Sequence, residues 1–300
     1  MRSMRAILPI LVSSFSVLAP AASVDGIQIH STVRGSGPKT IVFVHGWTCD
    51  ESSWRDQAPF FEKNYRVITL DLPGHGKSGS PAAGLLTMEL FAKSIEAVRV
   101  EAKAGKIALV GHSMGTPVIR EYARLYPSNV AALVPVDGVL HLSGSPNAPN
   151  AERMKGPDGL KNREAMIRGM FGKSATPDLQ EHILKMMMAA PETTAYQAMA
   201  ATFAPENWKE ETFAVAALGI YADHSGANDP VYFKKIFPKG STVEVPGTGH
   251  FVMMERPKEF NELLAGFLPK ANFWIPAQRG YRSQPNPAPR GALCMNASMA

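Results

Sequence analysis

Cysteine is scarce in this chain: two in 300 residues, Cys49 and Cys294. Their separation excludes a disulfide scaffold and any paired Cys-x-x-Cys zinc site; a single bridge between them suits an oxidising compartment, but nothing in the sequence demands it. His-Glu-x-x-His and the acidic calcium loop are absent too, so no metal and no cofactor is expected. Charge of one sign is not concentrated anywhere. Asp, Glu, Lys and Arg make up 19% of the chain, and the net charge of +5 falls to +3 once Arg2 and Arg5 are set aside. Basic residues interleaved with acidic ones argue against nucleic acid as a partner. Long apolar runs are missing as well: none reaches the roughly 20 residues that span a bilayer, so no membrane span is expected. Internal repeats are absent.

What is present begins with features of an export signal. Residues 1–22, MRSMRAILPILVSSFSVLAPAA, carry Arg2 and Arg5, an apolar stretch over 6–18, and then Ala19-Pro20-Ala21 at the spacing of a cleavage site. The expectation is a signal peptide and a mature protein that is secreted or periplasmic. From residue 26 onward, short Val/Ile/Leu/Ala-rich runs at 26–33, 40–44, 65–70, 106–110, 131–136, 215–222 and 241–245 alternate with helical patterns at 51–63, 87–104, 114–125, 230–237 and 254–268. Strands that are almost continuously apolar are buried on both faces, and their alternation with helices predicts the α/β class: a mostly parallel central sheet with helices on both faces. The rhythm lapses over 138–213, which hold no convincing strand and seven methionines, Met186-Met187-Met188 among them. That stretch is expected to be a helical cap inserted between two core segments, 23–137 and 214–270. Most of its methionines would be plain helix core, while an adaptable thioether also suits a lid over an apolar substrate. Residues 271–300, with Pro276, Pro285, Pro287, Pro289 and a glycosylation sequon at Asn296, are expected to form a loose tail.

The chemistry starts at KIALVGHSMGTP, residues 106–117, where an apolar strand runs into Gly111-His112-Ser113-Met114-Gly115 and a helical pattern follows. A serine on a sharp strand-to-helix turn has its hydroxyl exposed, and flanking glycines allow the tight backbone and close packing that such a turn needs. The following helix directs N–H groups and partial positive charge at the reacting centre. A helix N-cap would account for Ser113 alone, but not for Gly111, Gly115 and the preceding strand together. A serine nucleophile needs a base, and eight histidines compete: His30, His45, His75, His112, His141, His182, His224 and His250. In a doubly wound sheet the reacting groups lie on loops at the carboxyl ends of strands, and His250 follows the last strand, in Pro246-Gly247-Thr248-Gly249-His250. His45 and His75 also follow strands and are read as loop anchors beside the site.

Ile41-Val42-Phe43-Val44-His45-Gly46-Trp47, Asp71-Leu72-Pro73-Gly74-His75-Gly76-Lys77-Ser78, Gly111 to Gly115 and Gly249-His250-Phe251 come in an order that resembles the α/β-hydrolase superfamily over about residues 26–268. The resemblance implies that fold, a helical cap, and an oxyanion hole formed by the backbone N–H groups of Trp47 and Met114. Losing one such donor typically costs about 3 kcal/mol of transition-state stabilisation. A serine nucleophile disfavours the branches that use aspartate, the haloalkane dehalogenases and epoxide hydrolases.

The triad acid departs from the family pattern. Its usual place follows the seventh strand, but in Gly219-Ile220-Tyr221-Ala222-Asp223-His224-Ser225 a serine stands there and Asp223 comes two residues early. The alternative place follows the sixth strand and holds Asp137. Asp137 is preferred because it sits directly at a strand's carboxyl end; Asp223 stays open, and Asp229 ranks third. Its role would be to hold the imidazole tautomer and stabilise the imidazolium. Gly74-His75-Gly76-Lys77-Ser78-Gly79 also fits a dinucleotide-loop pattern, but Ser80-Pro81 stands where a helix should begin, and Asp71 occupies the position where a phosphate loop needs glycine. The expected protein is a serine hydrolase acting on a small-molecule ester or lactone of hydrophobic character. A carbon–carbon or amide hydrolase with the same triad, and a binding protein on the same scaffold, are the alternatives.

Overall fold

A computed structural model describes residues 22–81, 86–142 and 150–273. Residues 1–21 of the expected signal peptide and 274–300 of the expected tail, with Cys294 and Asn296, lie outside the described residues. At the start, β1 (Ser23–Val24) and β2 (Ile27–Gln28) pair as a small hairpin. Seven strands form the main sheet: β3 (Ser31–Arg34), β4 (Thr40–Val44), β5 (Arg66–Leu70), β6 (Ile107–His112), β7 (Val130–Val136), β8 (Ala216–Ala222) and β9 (Ser241–Val245). Their order is β3-β5-β4-β6-β7-β8-β9; β3 is antiparallel to β5 and every other pair is parallel. Every residue of β4, β6 and β7 is buried, which is why their sequences show no period-two alternation.

Helices α1 (Ala58–Phe61), α2 (Met88–Glu101), α3 (Gly115–Leu125) and α7 (Pro230–Ile236) lie in strand-connecting segments, and α8 (Val252–Glu255) and α9 (Pro257–Phe267) follow β9. Between β7 and β8 the described residues hold α4 (Gly159–Arg168), α5 (Pro177–Met188) and α6 (Glu192–Phe203), and no strand. Under β4, Phe43 meets Trp54 with ring centres 4.8 Å apart and Phe61 at 6.1 Å, and Trp54 meets Phe260 at 6.2 Å. Such aromatic pairs add roughly 1 kcal/mol each beyond the area they bury, and they stiffen the strand that leads to Trp47.

Three expected elements divide. The run 26–33 splits into β2 and β3, because Ile29 donates its N–H to Ala22 O and His30 donates to Ser78 Oγ instead of to a ladder. The helix expected over 51–63 is a 3-10 turn, Glu51–Trp54, capped by Asp50, followed by the short α1. Pro59 in the middle of the run lacks an N–H and disfavours helical backbone in the residue before it. For the same reason Pro257 breaks 254–268 into α8 and α9, with α8 starting earlier, at Val252.

The sheet order locates the site. From β4 the chain steps to one side to make β5 and then crosses to the other side to make β6, so the topological switch point lies between β4 and β6. Gly111 of β6 pairs with Val44 of β4, and His112 pairs with Val136 of β7. This register puts the loop carrying Trp47, then Ser113, then Asp137, side by side at the carboxyl edge.

Candidate active site

Ser113 follows β6 with φ +52°, a left-handed conformation unusual for a side-chain-bearing residue. Its N–H donates to Val136 O at 2.8 Å, and its carbonyl accepts from Thr116 N–H at 2.9 Å, so neighbouring elements hold the turn in place. Both glycines are needed for contact: a Cβ on Gly111 would stand 2.4 Å from Gly115 O, and one on Gly115 would stand 2.7 Å from Val44 O. Helix α3 begins at Gly115 without a side-chain cap, so the Ser113 hydroxyl is not spent on the helix.

His250 Nδ1 donates to Asp137 Oδ2 at 2.6 Å. Asp137 is 6% exposed and has φ +42°; its other oxygen, Oδ1, accepts from Ala222 N–H at 3.0 Å. Burial pushes this carboxyl up, but the hydrogen bond and charge of His250, with the bonds from Ser225 and Ala222, outweigh it and hold the group below its ordinary value. Asp223 is elsewhere employed: its Oδ2 accepts from Gly247 N–H at 3.0 Å, bracing the turn that leads to His250. Asp229 caps α7 through Tyr232 N–H and pairs with His141 Nε2 at 3.2 Å. Of the three carboxylates weighed from sequence, only Asp137 is hydrogen-bonded to the His250 imidazole.

Trp47, Ser113, Met114, Asp137 and His250 line one cavity of about 950 Å³. Its remaining wall is largely apolar, with Pro117, Leu140, Met166, Met170, Met199 and Phe203 prominent. The backbone N–H groups of Trp47 and Met114 donate to no other described residue. His45 and His75 anchor loops beside it. His45 donates through Nδ1 to Gly46 O (2.8 Å) and accepts Leu72 N–H at Nε2 (3.0 Å), and His75 donates through Nδ1 to Pro73 O (3.0 Å). In the glycine-rich loop that follows β5, Lys77 N–H is directed at Asp71 Oδ2, 2.8 Å away, in place of any phosphate.

A family model for the alpha/beta hydrolase family matches residues 41–263. The chain belongs to this family. The hydrolase is 25% identical over 249 residues to an (E)-2-((N-methylformamido)methylene)succinate hydrolase of Acinetobacter baylyi, covering 80% of this chain and 93% of that protein. It is 30% identical over 148 residues to a 2-hydroxy-6-oxononadienedioate/2-hydroxy-6-oxononatrienedioate hydrolase of Escherichia coli, covering 43% of this chain and 51% of that one. Among solved structures it superposes on a thermophilic esterase from Thermogutta terrifontis with TM-score 0.74 and 26% identity, over 83% of this chain and 96% of the other.

Several supports of the site carry no local signal in the sequence. His112, fully enclosed, donates from Nε2 to the backbone carbonyl of His250 at 2.8 Å; burial, then the neighbouring His250, push its imidazole down to about 3. Glu255 on α8 accepts at Oε2 from Gly249 N–H (2.9 Å) and Ser174 Oγ (3.1 Å), and at Oε1 from Gly172 N–H (3.3 Å). With His250 N–H donating to Met170 O at 2.8 Å, residues 170–174 hold the histidine loop from outside the sheet. Gly249 serves this contact, since a Cβ there would lie 2.2 Å from Gly172 N. Trp47 Nε1 donates to Ala195 O (2.7 Å), and Thr194 Oγ1 to Gly74 O (2.9 Å), which tie α6 to both loops on the β4 side. Buried Arg120 on α3 donates to Leu140 O (2.6 Å) and pairs with Glu211 (2.7 Å). Partners this far apart in the chain leave no spacing pattern to read.

Among the described residues one group could hold a metal ion, Asp223, His224 and Glu244, whose ligand atoms lie within 4.8 Å of one another on the surface. None of the three lines the cavity. Cys49 is a free, buried thiol pushed up to about 12 by burial, which makes it a poor nucleophile.

Proposed function

We propose that the chain is a serine hydrolase that cleaves a carboxylic ester or lactone of a small to medium hydrophobic substrate through an acyl-enzyme on Ser113. The observation that carries this reading is the 2.6 Å bond from His250 Nδ1 to Asp137 in the cavity that Ser113 also lines. A carboxylate can only accept from Nδ1–H, so Nε2 keeps its lone pair for the serine proton. Ser113 Oγ attacks the carbonyl carbon as His250 takes its proton. The oxygen that becomes negative is received by the N–H groups of Trp47 and Met114. His250 then protonates the departing alcohol, leaving the acyl group on Ser113. Water, deprotonated by His250, attacks that acyl group, and the proton returns to Ser113 as the acid leaves.

The esterase among the similar structures supports this reading, and the methionine and phenylalanine wall favours an apolar acyl or alcohol part. The relative whose name describes a 2-hydroxy-6-oxo dioate favours, as the second reading, hydrolysis of a carbon–carbon bond beside a ketone. A fluorophosphonate should label the protein covalently at Ser113, with Ser113→Ala abolishing the label, and p-nitrophenyl esters should turn over many times. Faster turnover of diketones would favour the second reading; tight ligand binding with no label and no turnover would sink both and favour a binding protein.

Export of the protein is part of the same proposal, resting on Arg2, Arg5, the apolar stretch and Ala19-Pro20-Ala21. N-terminal sequencing of protein recovered outside the cytosol should begin near residue 22. Recovery only from the cytosol with Met1 retained would refute export.

A further inference from the structure

The charge around the cavity bears on what it accepts. Asp137 and Asp229 both line it, each hydrogen-bonded to a histidine, and among the described residues no Lys or Arg does. Asp229 has its Oδ1 on Tyr232 N–H and its Oδ2 on His141, an arrangement that keeps it ionised. The backbone bond from Tyr232 leads in holding its pKa below the ordinary value, with His141 assisting and burial opposing. Facing these carboxylates, α4 and α6 present Met166, Met199 and Phe203, which offer no partner to an anion.

We propose that the cavity selects substrates without a carboxylate: a neutral ester or lactone, or one whose alcohol part bears a hydrogen-bond donor or a positive charge that Asp229 can receive. The inference rests on the serine-hydrolase reading. An anionic group would meet like charge and apolar walls with no Lys or Arg among the described lining residues to pair with, and both effects disfavour it. The relatives named for a succinate and a dioate act on carboxylates. On this count the present chain differs from them.

The test pairs dimethyl adipate with monomethyl adipate, equal in length and differing in one charge, assayed on wild type and Asp229→Asn. Asparagine is also a good helix cap, so the variant keeps the start of α7. The diester should have a kcat/KM about a hundredfold above that of the monoester, the factor that an unpaired charge in such a site produces. In Asp229→Asn the ratio should shrink several-fold while the thermal midpoint barely moves. Equal or better turnover of the monoester would overturn the inference and leave the serine-hydrolase reading intact. So would an unchanged ratio in the variant. Failure of both esters, with no fluorophosphonate label at Ser113, would instead remove the reading and the inference with it.

Discussion

Asp137→Asn should lower kcat by about four orders of magnitude, the scale set by loss of tautomer control in a Ser–His–Asp triad. The local bonds decide how an asparagine would sit. Oδ1 of Asp137 receives Ala222 N–H at 3.0 Å, so the amide oxygen must stay there and the amide NH₂ must face His250 Nδ1. Two donors cannot share that contact. The imidazole would answer by moving its proton to Nε2, which removes the lone pair that should accept the Ser113 proton. Asp223→Asn has no such consequence, because an amide oxygen can still accept from Gly247 N–H; its activity should stay within a few-fold of wild type. Steady-state kinetics on a p-nitrophenyl ester, with thermal unfolding to show that both variants fold, separates the two. Near-normal turnover by Asp137→Asn would remove it from the triad, and a collapse in Asp223→Asn would put the acid there.

Acid should destabilise the protein at a pH where its carboxylates are still ionised. His75 and His112 are completely buried, and burial, followed by the neighbouring His45 and His250 respectively, pushes both down to about 3. Burial also lowers His45, against the pull of Asp71. In the unfolded chain an imidazole titrates near 6.5. Between these values the folded protein keeps the rings neutral while the unfolded chain protonates them, so stability is complete above about 6.5 and declines as pH falls. At a little over 1 kcal/mol per pH unit for each ring, His75 and His112 together remove roughly 4 kcal/mol by pH 5. That is a large part of the 5–15 kcal/mol typical of a folded domain. Urea denaturation at pH 7, 6 and 5 should show the decline, with a slope corresponding to at least two protons. His75→Asn, which can still donate to Pro73 O, should reduce the slope by about one. A stability curve flat from pH 7 to pH 5 would contradict the burial argument.

The two effects act through neighbouring residues. His112 is enclosed beneath the loop and holds His250 through its main-chain carbonyl, so unfolding that exposes His112 releases the base as well.

Much of this was legible in the chain itself, for a physical reason. Strands covered on both faces must be apolar throughout, so the runs leading to β4, β6 and β7 announce a buried parallel sheet. A serine in a left-handed turn between close-packed elements needs glycine on either side, so Gly111, Ser113 and Gly115 announce the turn. These are constraints on single residues and their near neighbours, and they leave a mark in the order of residues. Which carboxylate meets His250 is a different kind of fact: Asp137 and His250 lie 113 residues apart, and the register of β7 beside β6 and β8 decides the matter against Asp223. The same holds for Glu255 and residues 172–174 around the histidine loop, for His112 under His250, and for a cavity that, among the described residues, is lined by two aspartates and by no Lys or Arg. Contacts made across the fold depend on where whole elements come to rest, and no local pattern records them.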